Sequence, residues 1–460
     1  MNEQKKSSLT AYLLVLIGTI VYTSLIFNQN VWLDEAFTAS LVRTDMAGVI
    51  ARSANDTLPP FYNILLKLMT DVWGYNIQVM KITSIIPMVL TMLLGATTVR
   101  KRFGAITSYF FITCLFTMPY LLFYGVEIRM YSWGFFFATG SAIYAYEVIK
   151  NSTRHNWCLF TLLSVGAGYT HHFAFVTVGF IYLFLLLYYI ILDRKNIRRW
   201  LICLGATLIL YLPCLITTIQ QIKSVSGYFS MPEITLSVFI KYLRYPYTVG
   251  NSFVSIALAA LILFLLIRFV FIKSRTQEDW YALCCFVTYY GVLVFGTVIS
   301  KIMTANIFVD RYLLFAMGGI WLFFSISVST LRKNYRILIY VFVLLAGVIG
   351  YVKEYQIEYA DGYETMKIVC DANFAEGDGT ISFEEADAIA ECLGFYYPEL
   401  THYSVDTIKS IRGNIWCIVT EEYEQYFRDF LDKNPYTSDF LGDFRFDRYS
   451  FKLYQLTPKN

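Results

Sequence analysis

Three acids, two arginines and two histidines interrupt otherwise apolar stretches of this chain. Each falls at the end of a hydrophobic run. Asp34 and Glu35 stand side by side in "NQNVWLDEAFTASLVR", just past the first such run. Trp32 and Phe37 flank them, and the amphipathic "EAFTASLVR" is expected to lie along a membrane surface and hold the acids at phosphate depth. Glu127 and Arg129 occur in "YGVEIRMYSW", His171 and His172 in "GYTHHFAFV", and Arg311 in "VDRYLLFAMGG". Ionisable groups at such depth are costly unless paired or used. Glu127 and Arg129 read either as a pair in a tight turn or as an arginine free to hold a phosphate by two parallel hydrogen bonds. Arg311 reads either as a snorkelling interfacial cation or as a second phosphate ligand. The histidine pair reads as a polar turn or a pocket wall. Together they describe a cavity acidic at one point and cationic around it, suited to an amphiphile with a phosphate head and an apolar tail.

The elements that position these residues follow from composition. Of 460 residues 57% are hydrophobic and only 15% charged, against about 25% charged in soluble domains. Mean hydropathy is +0.51. A water-facing globule of this size is excluded. Apolar stretches of about 20 residues can cross a bilayer as helices. They occur near 10–27, 79–99, 104–124, 131–149, 157–171, 173–192, 200–220, 252–272, 280–300, 312–330 and 337–352, about eleven in all. The N-terminus resembles a signal peptide, but its long apolar stretch lacks a cleavage site and reads as a first span. The loops "RKRFG", "KNSTRHNW", "DRKNIRR", "IKSRTQEDW" and "LRKNYR" are all basic and alternate with poorly basic ones. By the positive-inside rule they are cytoplasmic, with the N-terminus. Every residue singled out above then faces the extracytoplasmic side, in a multi-pass cell-membrane protein. The net charge of +3 is too small to argue for any partner; the apolar spans make the lipid bilayer one, and no nucleic-acid partner is expected.

Two domains are expected: a membrane domain over 1–352, with a long first outer loop at 28–78 carrying surface helices, and a C-terminal extracytoplasmic α/β domain over 353–460. The tail holds 21 of the 34 acidic residues. Strand-like "TISF", "IWCIVT" and "RYSFKLYQL" alternate there with three helix-like runs. "EGDGTISFEEA" resembles half of a calcium loop, but the first ligand position falls on Phe374, so a turn is the better reading. Within the outer loop, "NDTLPPFYNILLKL" reads as an extended approach through two prolines to a helix, with Asp56 or Thr57 as cap. Nine cysteines show no CxxC pattern, and three of them lie in the tail, allowing one disulfide at most.

In order and spacing these motifs resemble those of GT-C glycosyltransferases, in the protein O-mannosyltransferase-like and aminoarabinose-transferase-like branch (family 39-like). "WLDEA" resembles the first-loop acid motif, and "DTLPPFYNILLKLMTDVWG" the D-x-H-P-P-L-Y-Y-L-L-L segment. "EIRMYSW" resembles E-x-R-x-Y, "YTHHFAF" resembles Y-T-H-Y, and "DRYLLFA" resembles R-Y-L. The likeness runs from about residue 8 to 352. Leu58 departs from it, standing where many relatives carry histidine. The resemblance implies inverting transfer of a sugar from a polyprenyl-phosphate donor to an acceptor glycan, lipid or protein. It implies Asp34 as general base, with Glu35 orienting the acceptor or sugar, and Arg129 and Arg311 on the donor phosphate. Asp56, Glu127, Tyr131, His171 and His172 would line the substrate pocket. A divalent metal cation is a possible cofactor that the sequence does not require, and its ligands are unknown. The competing expectation is a flippase or transporter of lipid-linked sugars, which would place charges and broken helices near the bilayer midplane.

Overall fold

A backbone in lipid must satisfy its hydrogen bonds internally, so the apolar runs become helices. The computed structural model describes residues 3–459 apart from 56–57, 229–232, 272–273, 304–305, 360–361, 384–386, 412 and 447–448. Among these, eight helices are long and apolar enough to cross a membrane. One of them, Ile77–Thr117, is 41 residues long and breaks at Gly104 (φ 88°, ψ 171°). The Ser108 hydroxyl donates to the Gly95 carbonyl at 2.8 Å. A straight helix would separate residues 13 apart by about 20 Å, so the chain doubles back and this helix supplies two of the expected spans. Tyr131–Lys150 and Arg154–Thr170 fill two more. The former is largely buried against other helices, so it carries Ser, Thr and Gly in place of a fully apolar surface. The protein is a polytopic α-helical membrane protein with a small C-terminal α/β domain.

The chain divides into two units: Met1–Ser24 with Asp45–Glu354, and Leu25–Thr44 with Tyr355–Asn460. The first unit includes the short helices Met46–Asn55 and Phe61–Trp73. Phe61 packs edge-on against Trp133 at 5.7 Å and Phe137 at 5.6 Å, and the Tyr62 hydroxyl lies 2.9 Å from Ser84 Oγ. Gly134 lets the helices Tyr131–Lys150 and Leu314–Ser329 approach closely: a Cβ there would stand 2.4 Å from Phe315 Cε1.

The second unit is built on five strands: β1 (Gly379–Ser382), β2 (Thr401–Tyr403), β3 (Ile415–Val419), β4 (Tyr436–Phe446) and β5 (Tyr449–Pro458). Their order is β2-β1-β3-β5-β4. β2, β1 and β3 are parallel, while β5 runs antiparallel to both β3 and β4. Ile381, Cys417, Val419 and Leu456 form a core with Phe427 and Phe430 of the helix Glu424–Lys433. β2 and β4 are absent from the sequence reading: β2 has three residues and β4 is largely exposed, so neither shows a clear apolar pattern. The would-be calcium loop is a turn. Asp378 is buried and accepts from Asn414 N at 2.7 Å and Trp416 Nε1 at 2.8 Å. All nine cysteines are free thiols.

Candidate active site

In the first unit, the site grows from the ends of three helix pairs. Helix Pro119–Val126 ends at Glu127, whose extended backbone turns the chain, and the Arg129 N–H donates to the Glu127 carbonyl at 2.7 Å. Tyr131 then opens the next helix. Glu127 is 2% exposed and Arg129 9% exposed. His171 joins Arg154–Thr170 to His172–Ile191 and is buried. Its Nδ1 accepts the Phe173 N–H at 3.0 Å, which places the proton of a neutral ring on Nε2. That Nε2 is buried with no hydrogen-bond partner among the described residues. Arg311, half-buried, sits in the short helix Asp310–Leu313 that leads into Leu314–Ser329.

These residues converge. His171 feels the charges of both Arg129 and Arg311. Tyr124 is within electrostatic reach of Glu127, Tyr131, Asp310 and Arg311. A run of rings connects them: Tyr124 to Tyr131 at 5.0 Å, Tyr131 to Phe315 at 6.3 Å, Phe315 to His171 at 4.5 Å and His171 to Tyr312 at 4.6 Å. The structure thus brings together Glu127, Arg129, Tyr131, His171 and Arg311. His172 makes a different contact: its Nε2 lies 3.2 Å from Gln221 Oε1. Gln221 Nε2 in turn donates to the carbonyls of Leu58 at 3.1 Å and Ser53 at 3.4 Å. This chain ties the proline segment of the outer loop to the helix Ile197–Tyr228. Asp56 lies outside the described residues.

Beside this cluster is a cavity of about 450 Å³, lined by His171, His172, Gln221 and Tyr312 and otherwise mainly by apolar groups such as Phe295 and Ile299. A second, of about 320 Å³, extends from Phe315 along Ala138, Phe184 and Leu185 to Trp280. Both suit hydrocarbon.

Asp34 and Glu35 belong to the second unit. They occupy the first turn of the helix Leu33–Leu41, where free N–H groups favour negative charge. Glu35 is buried and accepts the Trp32 N–H at 3.3 Å, so it closes the start of its own helix. Asp34 is half-buried. Ala36, Ala39 and Leu41 of this helix are fully buried, and it packs on the helix Asp387–Tyr396. Two alanines on one face permit that close approach. Further bonds secure the segment: Asn28 Nδ2 donates to Glu358 Oε2 at 2.9 Å, Asn30 Nδ2 to the Glu358 carbonyl at 2.9 Å, and Val31 N to the Tyr396 hydroxyl at 3.1 Å.

Residues 57–219 match the family model described as dolichyl-phosphate-mannose-protein mannosyltransferase. ArnT from Cupriavidus metallidurans in the apo state is similar in structure, with a TM-score of 0.65 at 10% identity, covering 96% of this chain and 97% of that one. The same protein bound to undecaprenyl phosphate gives 0.65 at 11% identity, with the same coverage. No curated protein matches the chain by sequence. The chain shares the fold of ArnT. The structural likeness spans both units, including the tail that the sequence motifs did not reach.

Several polar residues near the site escaped the sequence reading. Lys241 pairs with Asp310 at 2.8 Å from the amphipathic helix Leu236–Arg244. Tyr245 is buried, stacks on Tyr120 at 4.0 Å, and its hydroxyl has no hydrogen-bond partner among the described residues. Lys81 is 1% exposed in a helix that read as plain membrane span. The signal was present, since a lone lysine inside an apolar run points to use by default. Among the described residues no group of three or more His, Cys, Asp or Glu is placed to hold a metal ion.

Proposed function

We propose that the protein transfers a sugar from a polyprenyl-phosphate donor to an acceptor on the extracytoplasmic face, with inversion at the anomeric carbon. The observation that carries the reading is the convergence of Arg129 and Arg311 on the buried His171, beside cavities lined by hydrocarbon. An isoprenoid phosphate needs cations for its head and apolar walls for its tail. The mannosyltransferase family match and the undecaprenyl phosphate bound by the Cupriavidus metallidurans relative support the same donor class.

The chemistry asks little of the protein. The acceptor hydroxyl attacks the anomeric carbon as the bond from that carbon to the phosphate oxygen breaks. Polyprenyl phosphate leaves as a stabilised anion and needs no general acid. Arg129 and Arg311 bind the phosphate and stabilise its growing charge. Asp34 takes the acceptor proton, which departs late in an oxocarbenium-like transition state, so an ordinary carboxylate suffices. Glu35, bonded to Trp32 N, orients the helix that carries Asp34. The His171 Nε2 proton is available to a ligand oxygen.

The test is release of polyprenyl phosphate by purified protein from a panel of polyprenyl-phosphate sugars, with glycan, lipid and peptide acceptors. Asp34→Asn is expected to lower kcat by about 10²–10⁴-fold with donor binding retained. A variant as fast as the parent would remove Asp34 from the mechanism. If no donor is consumed but labelled donor crosses a vesicle membrane, the protein is a transporter.

A further inference from the structure

The second unit contains a cleft that the transfer chemistry does not use. It is lined by Ser382 at the end of β1 and Phe383 after it, His402, Ser404 and Val405 at and after β2, and Glu422, Tyr423 and Tyr426 after β3, and has a volume of about 700 Å³. All three strands are parallel and all contribute from their carboxyl ends. Strand order β2-β1-β3 reverses direction at β1, and open α/β sheets bind ligands at such a switch point.

The lining decides the ligand class. Tyr423 and Tyr426 stand with ring centres 5.6 Å apart, and Tyr426 is 65% exposed. An exposed Tyr426 beside the half-buried Tyr423 offers a ring face for stacking. His402 bridges two hydroxyls, with Nδ1 3.2 Å from Thr380 Oγ1 and Nε2 3.3 Å from Ser382 Oγ. That holds the imidazole upright at the cleft edge. Glu422 adds a carboxylate that accepts hydroxyl or ammonium protons, and Ser404 adds a hydroxyl. Among the described residues no lysine or arginine lines the cleft. Residues 353–460 carry 21 acids against 10 bases, so a phosphate or uronate finds an unfavourable field. The stretch after β1 reads "FEEAD", with no glycine to cradle a nucleotide phosphate.

We infer that this cleft binds a saccharide, neutral or amino-substituted, by ring stacking and hydroxyl hydrogen bonds. The inference stands apart from the transfer reaction, because binding needs neither donor nor turnover.

The experiment presents the full chain, in detergent micelles, with an array of neutral, amino-sugar and uronate oligosaccharides and unglycosylated peptides. Neutral or amino-sugar chains are expected to bind, with affinity falling at least tenfold in Tyr426→Ala. Glu422→Gln should weaken amino sugars more than neutral ones. Asp34→Asn should bind as the parent does, even where its transfer is lost. Hydrogen-exchange protection of β3 matching the parent shows that each variant is folded; Ser404→Ala, expected to weaken binding more mildly, takes the place of any that is not. The inference is overturned if no saccharide binds at millimolar concentration, if folded cleft variants bind as the parent does, or if uronates or peptides bind in preference and depend on Tyr426.

Discussion

The Arg43 guanidinium donates to the backbone carbonyl of Phe395 at 2.6 Å and also lies over that residue's ring, 5.6 Å from its centre. Arg43 follows the helix that bears Asp34, and Phe395 lies in the helix Asp387–Tyr396 of the tail. The acid segment of the first loop is therefore assembled on residues more than 350 positions away.

Arg43→Ala should loosen the Asp34 helix without touching substrate. Amide exchange over Leu33–Leu41 is expected to accelerate about 10- to 150-fold, for a bond to a charged group worth about 1.5–3 kcal/mol. Arg43→Lys keeps the charge but loses the planar stack, and should fall between. Unchanged exchange in Arg43→Ala would show that the alanine packing alone holds the helix.

Arg129→Ala should cost transfer about 10²–10³-fold, the usual loss on removing one preorganised donor from a developing anion. Arg311 is the less buried of the two, and Arg311→Ala should cost less. Single-turnover kinetics with a saturating donor distinguishes lost chemistry from weakened binding. Equal, small effects from both would place the phosphate elsewhere.

Gln221→Ala leaves the buried carbonyl of Leu58 without the donor it has now. An orphaned buried acceptor costs about 1–3 kcal/mol. Limited proteolysis within residues 50–60 should speed up accordingly, and Gln221→Glu, which keeps size but loses the donor, should behave similarly. Cleavage at the parental rate in both would show that the prolines suffice to hold that segment.

Lys452 and Arg428 hold the Glu424 carboxyl below the usual carboxylate range, through bonds of 2.9 Å each. A depressed folded pKa gives stability that is present above the unfolded value near 4.3 and disappears as pH falls through the lower folded value. The pairs are near the surface, so the effect is small and salt-sensitive. Glu424→Gln should flatten the acid limb of tail stability, read as exchange protection of β5 corrected for intrinsic rate. A parental acid limb would assign the pH response to other carboxylates.

The span pattern was legible because lipid demands long, continuous apolar helices, and β1, β3, β5 and three helices of the tail were legible from periodicity. Arg129, His171 and Arg311 stood out because charge or polarity interrupts an apolar run at each of them. Lys241 and Tyr245 did not, since a lysine at a helix end or one tyrosine of 37 is ordinary until the fold shows its burial, whereas Lys81 interrupts an apolar run and carried a signal of its own. The partnership of Leu25–Thr44 with the tail was hidden for a different reason. It depends on Ala36, Ala39 and Asn28 meeting residues far along the chain, and neither alanines nor a lone asparagine announce a distant partner.

That partnership also sets an order of events during synthesis. The Asp34 segment emerges early, yet Glu358, Phe395 and Tyr396, which secure it, are made more than 300 residues later. Until the chain has been made as far as Tyr396, the acid-bearing helix lacks its support. A chain stalled or clipped before that point would keep Arg129 and Arg311 yet leave the helix of Asp34 without these contacts.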